Sequence, residues 1–293
     1  MGFLSVEAGR ERIRIEPLSR AVGAEVVGVD LSQDVNDVVA DEIRQALGEY
    51  GVLFFRNQNL SPTDHVEFAR KFGSININKY FHPVDGHPEI AKVIRRPEEK
   101  GVTGGYWHTD HSYDQAPAMG SVFVAREIPP VGGDTLFAGM FAAYEALSDG
   151  LKSVLEGLWA WHSDAVCPEV GDPAMQEDFN ARLKLVQANC VWARHPIVIR
   201  HPISGRKALY VNKGFTHSID GWSLEESRVL LEYLFEHGSS LGFTYRHRWK
   251  AGDVAFWDNR ATWHRAMDDT EGYLRILHRI TIDGEPLSAA GAA

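Results

Sequence analysis

The chain has 293 residues, 44% of them hydrophobic, enough for a packed interior and within reach of one large β barrel or sandwich with insertions. Its formal net charge of -10 gives no basic footprint for nucleic acid, and no run approaches the roughly 20 apolar residues that span a bilayer. Cys167 and Cys190 are the only cysteines, so a disulfide framework is excluded and a reduced, cytoplasmic setting is expected.

In chain order, "MGFLSVEAGRERIRIEP" lacks the apolar run of a signal peptide, and Val6 stands where N-myristoylation of Gly2 wants Ser or Thr. "IRIEPL" and "AEVVGVDL" predict short strands. Residues 34–51 predict a helix ending at Gly51, followed by a buried strand in "VLFFRN". Residues 61–73 predict a helix with Ser61 as N-cap, Pro62 in the first turn and Gly73 at the stop. Residues 74–105 read as irregular, "VFVAREIP" as a strand, and 140–158 as one or two helices. Residues 164–190 are weakly patterned and are expected to form a lid insertion. Residues 195–212 predict a hairpin about Ser204-Gly205, so the basic run 194–207 reads as solvated strands. A helix over 223–238, with Ser223 capping and Gly238 stopping it, precedes three strands in "FTYRHRWK", "GDVAFWDN" and "LRILHRITIDG". Strands at both ends with helices between them predict an α+β chain around an antiparallel sandwich or barrel. No linker is apparent, which implies one domain over 1–293.

The chemistry-bearing residues are few. His108-Thr109-Asp110 is an H-x-D, and on a strand positions i and i+2 share a face. His264 sits in an apolar segment near the other end, with Arg275 and Arg279 following it by 11 and 15 residues. An even separation puts both arginines on one face of a strand, where burial demands anions. H-x-D…H with trailing arginines is the sequence form of the 2-His-1-carboxylate triad of non-haem Fe(II) oxygenases. Two other classes stay open on the same residues, a metal-dependent hydrolase and a cupin-like small-molecule binder without turnover.

With "WHTD", "GGDT" (132–135), "AAYEALS" (142–148), "HPISGRKALYVN" (201–212), "WDNR" (257–260) and "HR" (278–279) in this order, the sequence resembles the taurine dioxygenase/2,4-D dioxygenase family from about residue 12 to 284. The resemblance implies a double-stranded β-helix, or jelly roll, with flanking helices. It implies Fe(II) held by His108, Asp110 and His264, with 2-oxoglutarate and O2 as co-substrates and succinate and CO2 as co-products. Thr135 and Arg275 would hold the distal carboxylate of 2-oxoglutarate, and Arg279 the anionic group of the prime substrate. Tyr106, Trp107 and Tyr113 are expected to shield the site. The carboxylate at Asp110, where related halogenases leave room for halide, points to hydroxylation.

Asn78, Phe81 and Gly104 stand where taurine dioxygenase has His, Tyr and Asn, which points away from taurine. "VIRRPEE" and "KALYVNKGFTHSIDG" resemble the aryloxyalkanoate-degrading branch instead. Asn78, Phe81 and Tyr106 are therefore candidate contacts for a larger, less polar organic anion, a sulfonate, sulfate ester, aryloxyalkanoate or other carboxylate. The expected assembly is a homo-oligomer, a dimer or tetramer, with neither nucleic acid nor membrane as partner. His111 is expected at the pocket edge or in a structural role, not as a ligand. His278, Trp263, Asp258-Asn259 and Asp134 are expected in structural roles, and His162 and His195 have no evident partner.

Overall fold

The computed structural model describes residues 13–33, 35–164 and 190–291. The apolar run Val52–Phe55 is a fully buried strand, and Val254–Asp258 pairs with it antiparallel. Both belong to a nine-stranded sheet. Its order is Arg14–Pro17, Ala24–Val27, Val52–Phe55, Val254–Asp258, Gly120–Glu127, Arg275–Ile282, His87–Arg95 and Pro83–Val84, with Ile75–Asn76 beside the end of Arg275–Ile282. Ala24–Val27 runs parallel to Val52–Phe55, and the other pairings are antiparallel.

One face of this sheet, with Leu53, Phe55, Val122, Phe256 and Ile280, packs against Ile43 and Leu47 of the helix Asp37–Tyr50 and Val66 and Phe68 of the helix Pro62–Arg70. The opposite face, with Phe54, Ala125, Trp257 and Leu277, meets Phe137 of a smaller sheet. That sheet has Thr135–Gly139 at its centre, flanked by Thr244–His247 and Thr262–Ala266. The Phe137 ring lies 5.5 Å from Phe54 and 5.8 Å from Trp257. Cover on both faces is why the central strands read as unbroken apolar runs.

The helices follow their caps. The Asn36 side chain accepts from Val39 N–H, and Ser61 and Ser223 form capping boxes with Asp64 and Glu226. The 140–158 segment divides into Met140–Glu145 and Asp149–Leu155, the second capped by Ser148. Trp263, on the outer face of the smaller sheet, packs with Leu231, Leu234 and Phe235 of the helix Leu224–Gly238. A Cβ at Gly238 would lie 2.6 Å from that indole, so the helix ends on glycine where it meets the ring. Trp263→Ala is expected to cost about 3–5 kcal/mol of stability, read from urea denaturation.

Two expectations need correction. Residues 74–105 are not irregular throughout, because His87–Arg95 is a nine-residue strand alongside Arg275–Ile282. Its half-buried positions with Pro88, Glu89 and Lys92 hide the apolar alternation. The 195–212 hairpin is shorter than expected. Val198–Arg200 pairs with Lys207–Leu209, whereas Trp192–Pro196 pairs with Trp159–Ser163. Two arginines of the basic run are matched by acids, Arg194 with Asp220 at 2.7 Å and Arg206 with Glu145 at 2.7 Å, while Arg200 donates to the carbonyls of Gly205 at 3.1 Å and Ala290 at 2.9 Å. Of the expected lid over 164–190, residues 165–189 lie outside the described residues. Among the described residues, no helix is long and apolar enough to cross a membrane.

Candidate active site

The H-x-D stretch is not a strand. His108 makes one antiparallel bridge with His264, each N–H donating to the other's carbonyl at 3.1 and 2.8 Å. The chain then turns. The Thr109 hydroxyl and the Asp110 N–H both bond to Asn259, so the Asp258-Asn259 turn anchors this segment as well as His264. A bridge followed by a turn, rather than strand alternation, gathers His108, Asp110 and His264.

Asp110 Oδ1 lies 3.7 Å from Nε2 of His108 and 3.7 Å from Nε2 of His264. The donor atoms of the three residues all fall within 4.8 Å of one another. Distances of 3.7 Å are too long for hydrogen bonds and suit atoms arranged around one cation. The other side-chain atoms of His108 and Asp110 are engaged elsewhere, whereas His264 Nδ1 has no hydrogen-bond partner among the described residues. His108 Nδ1 meets Tyr106 O at 2.8 Å, and donation there leaves the Nε2 lone pair facing the cluster. Asp110 Oδ2 accepts from Ser121 Oγ at 3.0 Å and forms an ion pair with Arg279 Nη2 at 2.8 Å, which leaves Oδ1 to the histidines. Burial lowers the pKa of His108, and that of His264 still further, so both imidazoles are neutral at physiological pH. Burial by itself would raise Asp110, but the Arg279 charge and the histidines outweigh it and hold the carboxyl below its usual range. Two neutral imidazoles and a carboxylate on one side form a donor set that fits a divalent first-row metal.

These atoms open on a cavity of about 120 Å³. Nine candidate residues read from the sequence line it: His108, Asp110 and His264, with Thr135 and Arg275, and also Arg279, Asn78, Phe81 and Tyr106. Tyr113, Phe123, Phe215 and Trp257 make much of the remaining wall aromatic. Trp107, expected in that wall, instead packs against the apolar cluster around Trp263.

Arg275 is buried, and its Nη2 reaches Thr135 Oγ1 at 3.5 Å. Burial lowers its pKa to about 10, so it stays charged at neutral pH. Among the described residues its Nε has no hydrogen-bond partner. Nearby Asp134 is occupied by Arg246 at 2.6 Å, a structural role rather than that of a base. Gly133 in "GGDT" has φ 72°, and a Cβ there would lie 3.0 Å from Arg275 Cδ, so this glycine makes room for the arginine. A buried cation with an unbonded edge, facing a cavity, calls for an anionic ligand.

Residues 14–281 match the family model described as "Taurine catabolism dioxygenase TauD, TfdA family". The chain belongs to the TauD/TfdA family. It is 35% identical over 277 residues to the alpha-ketoglutarate-dependent sulfate ester dioxygenase of Pseudomonas putida, covering 92% of this chain and 89% of that one. It is 34% identical over 282 residues to the alpha-ketoglutarate-dependent 2,4-dichlorophenoxyacetate dioxygenase of Cupriavidus pinatubonensis, covering 90% and 96%. The crystal structure of a taurine dioxygenase from Burkholderia xenovorans superposes with a TM-score of 0.79 at 37% identity, covering 94% and 90%. This TauD/TfdA protein is accordingly a 2-oxoglutarate-dependent dioxygenase.

Within the TauD/TfdA site, Arg279 is less independent than its spacing suggested. Besides Asp110, its Nε donates to Thr281 Oγ1 at 3.1 Å, and Nη2 lies 3.4 Å from Ser121 Oγ. Among the described residues Nη1 has no hydrogen bond, so one corner of the guanidinium remains for a ligand. Asn78 Oδ1 accepts from the N–H groups of Tyr80 and Phe81, closing the turn that brings Phe81 to the wall. His111 adopts φ 57°, meets Asp114 Oδ2 through Nδ1 at 3.2 Å and stacks on Tyr113. It lines the cavity but stands outside the donor cluster. His278 instead meets Arg126 Nε at 3.1 Å. His162 and His195 back the 108–114 loop through Ser112 Oγ at 3.1 Å and Asp114 O at 3.0 Å. Ser121 and Trp249 escaped the sequence reading, because no local spacing marks a contact made between strands.

Proposed function

We propose that this TauD/TfdA enzyme is an Fe(II)-dependent hydroxylase of a small organic anion with an apolar body, a sulfate ester, sulfonate or aryloxyalkanoate. The carrying observation is one cavity with His108, Asp110 and His264 converging in it and the half-satisfied Arg275 in its wall. In this reading the three residues hold the iron, which supplies oxidation of the substrate by O2 as 2-oxoglutarate goes to succinate and CO2. Arg275 and Thr135 bind the distal carboxylate of 2-oxoglutarate. Ser121 and Arg279 hold Asp110 Oδ2, keeping Oδ1 directed at the metal position. Phe81, Tyr106 and the other aromatics exclude water and enclose the substrate body. The relatives' names, with a sulfate ester in one and an aryloxyacetate in another, support this substrate class. The paired sheets are read as a jelly roll forming one catalytic domain, cytoplasmic and assembled as a dimer or tetramer.

The test is succinate formation with Fe(II), ascorbate and 2-oxoglutarate over a panel of sulfonates, sulfate esters, aryloxy acids and amino-acid derivatives. Stimulation by one anionic class is expected. A hydrolase or a non-catalytic binder would consume no 2-oxoglutarate, which would sink the reading.

Arg279→Lys addresses the anion. Lysine keeps a charge beside Asp110 but cannot bond both the carboxylate and a substrate anion through one planar fork. Substrate affinity is expected to fall while substrate-independent 2-oxoglutarate turnover stays nearly intact. Paired titrations of the two ligands decide it. If both affinities fall together, the assignment of Arg279 to the substrate anion fails.

A further inference from the structure

Trp249 lines the same cavity and has no role so far. Register brings it there. His247 pairs with Thr135 across the smaller sheet, and two residues later the indole reaches the Thr135 side chain. Its Nε1–H donates to Thr135 Oγ1 at 2.9 Å, and Arg275 Nη2 approaches the same oxygen at 3.5 Å. A threonine hydroxyl carries two acceptor lone pairs and one hydrogen. With donors on both lone pairs, the hydroxyl acts only as a donor. Among the described residues that hydrogen has no acceptor, and Thr135 faces the cavity. The indole is braced from behind. The His247 ring meets it edge-on at 4.6 Å and is itself stacked on Phe54 at 4.0 Å, and Phe123 lies 6.4 Å away.

We infer that Trp249 is a positioning residue that turns the Thr135 hydroxyl into an obligate donor, selecting a carboxylate at the far end of the keto acid. This rests on the assignment of Thr135 and Arg275 to the distal carboxylate of 2-oxoglutarate. A neutral or hydrogen-donating group at that end would face two donors and no acceptor.

The experiment compares two keto acids in anaerobic calorimetric titrations of the Fe(II)-loaded enzyme, so binding rather than turnover is read. One is 2-oxoglutarate. The other is 2-oxopentanoate, which has the same keto-acid head and ends in a methyl group. Trp249→Phe keeps an aromatic ring and removes the N–H. It is expected to raise the Kd for 2-oxoglutarate about fivefold, the worth of one neutral hydrogen bond, and to leave that for 2-oxopentanoate within about twofold. In a Thr135→Val background the same substitution is expected to add nothing, because its route of action is gone. Trp249→Met removes the donor with a different shape and is expected to give the same pattern, which covers a poorly folded Phe variant. Equal loss of both keto acids would assign Trp249 to general packing and overturn the inference, as would independent effects in the double variant. An unchanged 2-oxoglutarate Kd in Thr135→Val alone would instead remove the Thr135 assignment beneath it.

Discussion

Arg275→Leu is expected to raise the 2-oxoglutarate requirement by roughly 30-fold to a few thousand-fold, the equivalent of about 2–5 kcal/mol. The substitution leaves a dicarboxylate with one end unpaired in a closed cavity. Its effect is expected mainly in KM for 2-oxoglutarate, since Arg275 is not one of the donor residues His108, Asp110 and His264. Arg275→Lys is expected to recover only part of the loss, because a point charge cannot replace a bidentate fork. The pH dependence of this contact has a definite sign. Burial lowers Arg275 to about 10, so its folded-state pKa lies below its unfolded value. The cation that binds the carboxylate is present at neutral pH and is lost as pH rises through about 10. Affinity for 2-oxoglutarate is therefore expected to be flat from pH 7 to 9 on this account and to fall above that. An unchanged 2-oxoglutarate dependence in Arg275→Leu would show that another cation holds the carboxylate.

His264→Ala is expected to abolish turnover and weaken Fe(II) binding by more than about 100-fold. Loss of a mere supporting contact to a metal ligand typically costs 10–100-fold, and here a ligand itself is removed. The variant also loses a buried imidazole next to Phe137 and Trp257, so its fold is checked by circular dichroism. His111→Ala, one residue from Asp110, is the control and is expected to keep iron binding. Equal iron affinity in His264→Ala and the parent protein would remove His264 from the ligand set.

Much of this was legible in the sequence for local reasons. Ser61, Ser223 and Gly51 mark helix ends through hydrogen bonds made within a few residues, and these are where the helices begin and end. Val52–Phe55 read as a buried strand because no polar residue interrupts it, and the apolar run of Val254–Asp258 read as a strand. Arg275 and Arg279 could be placed on one face because four residues along a continuous strand preserve direction, and both line the cavity. What escaped depends on contacts between distant segments. The His108–His264 bridge replaces the expected strand, and nothing near His108 announces a partner over 150 residues away. The Asp110–Arg279 pair and the Ser121 bond follow from the register of Gly120–Glu127 against Arg275–Ile282. Trp249 reaches Thr135 through the pairing of His247 with Thr135. Register of this kind is set between strands far apart in the chain, which a single strand's sequence does not encode.

Anaerobic addition of 2-oxoglutarate to the Fe(II)-loaded protein, followed by visible absorbance, bears most directly on the assignment of His108, Asp110 and His264 as the iron site of a 2-oxoglutarate dioxygenase. A weak charge-transfer band of a chelated keto acid is expected, saturating at one iron and one 2-oxoglutarate per chain and persisting in His111→Ala. No band in the parent protein, or an undiminished band in His264→Ala, would contradict that assignment.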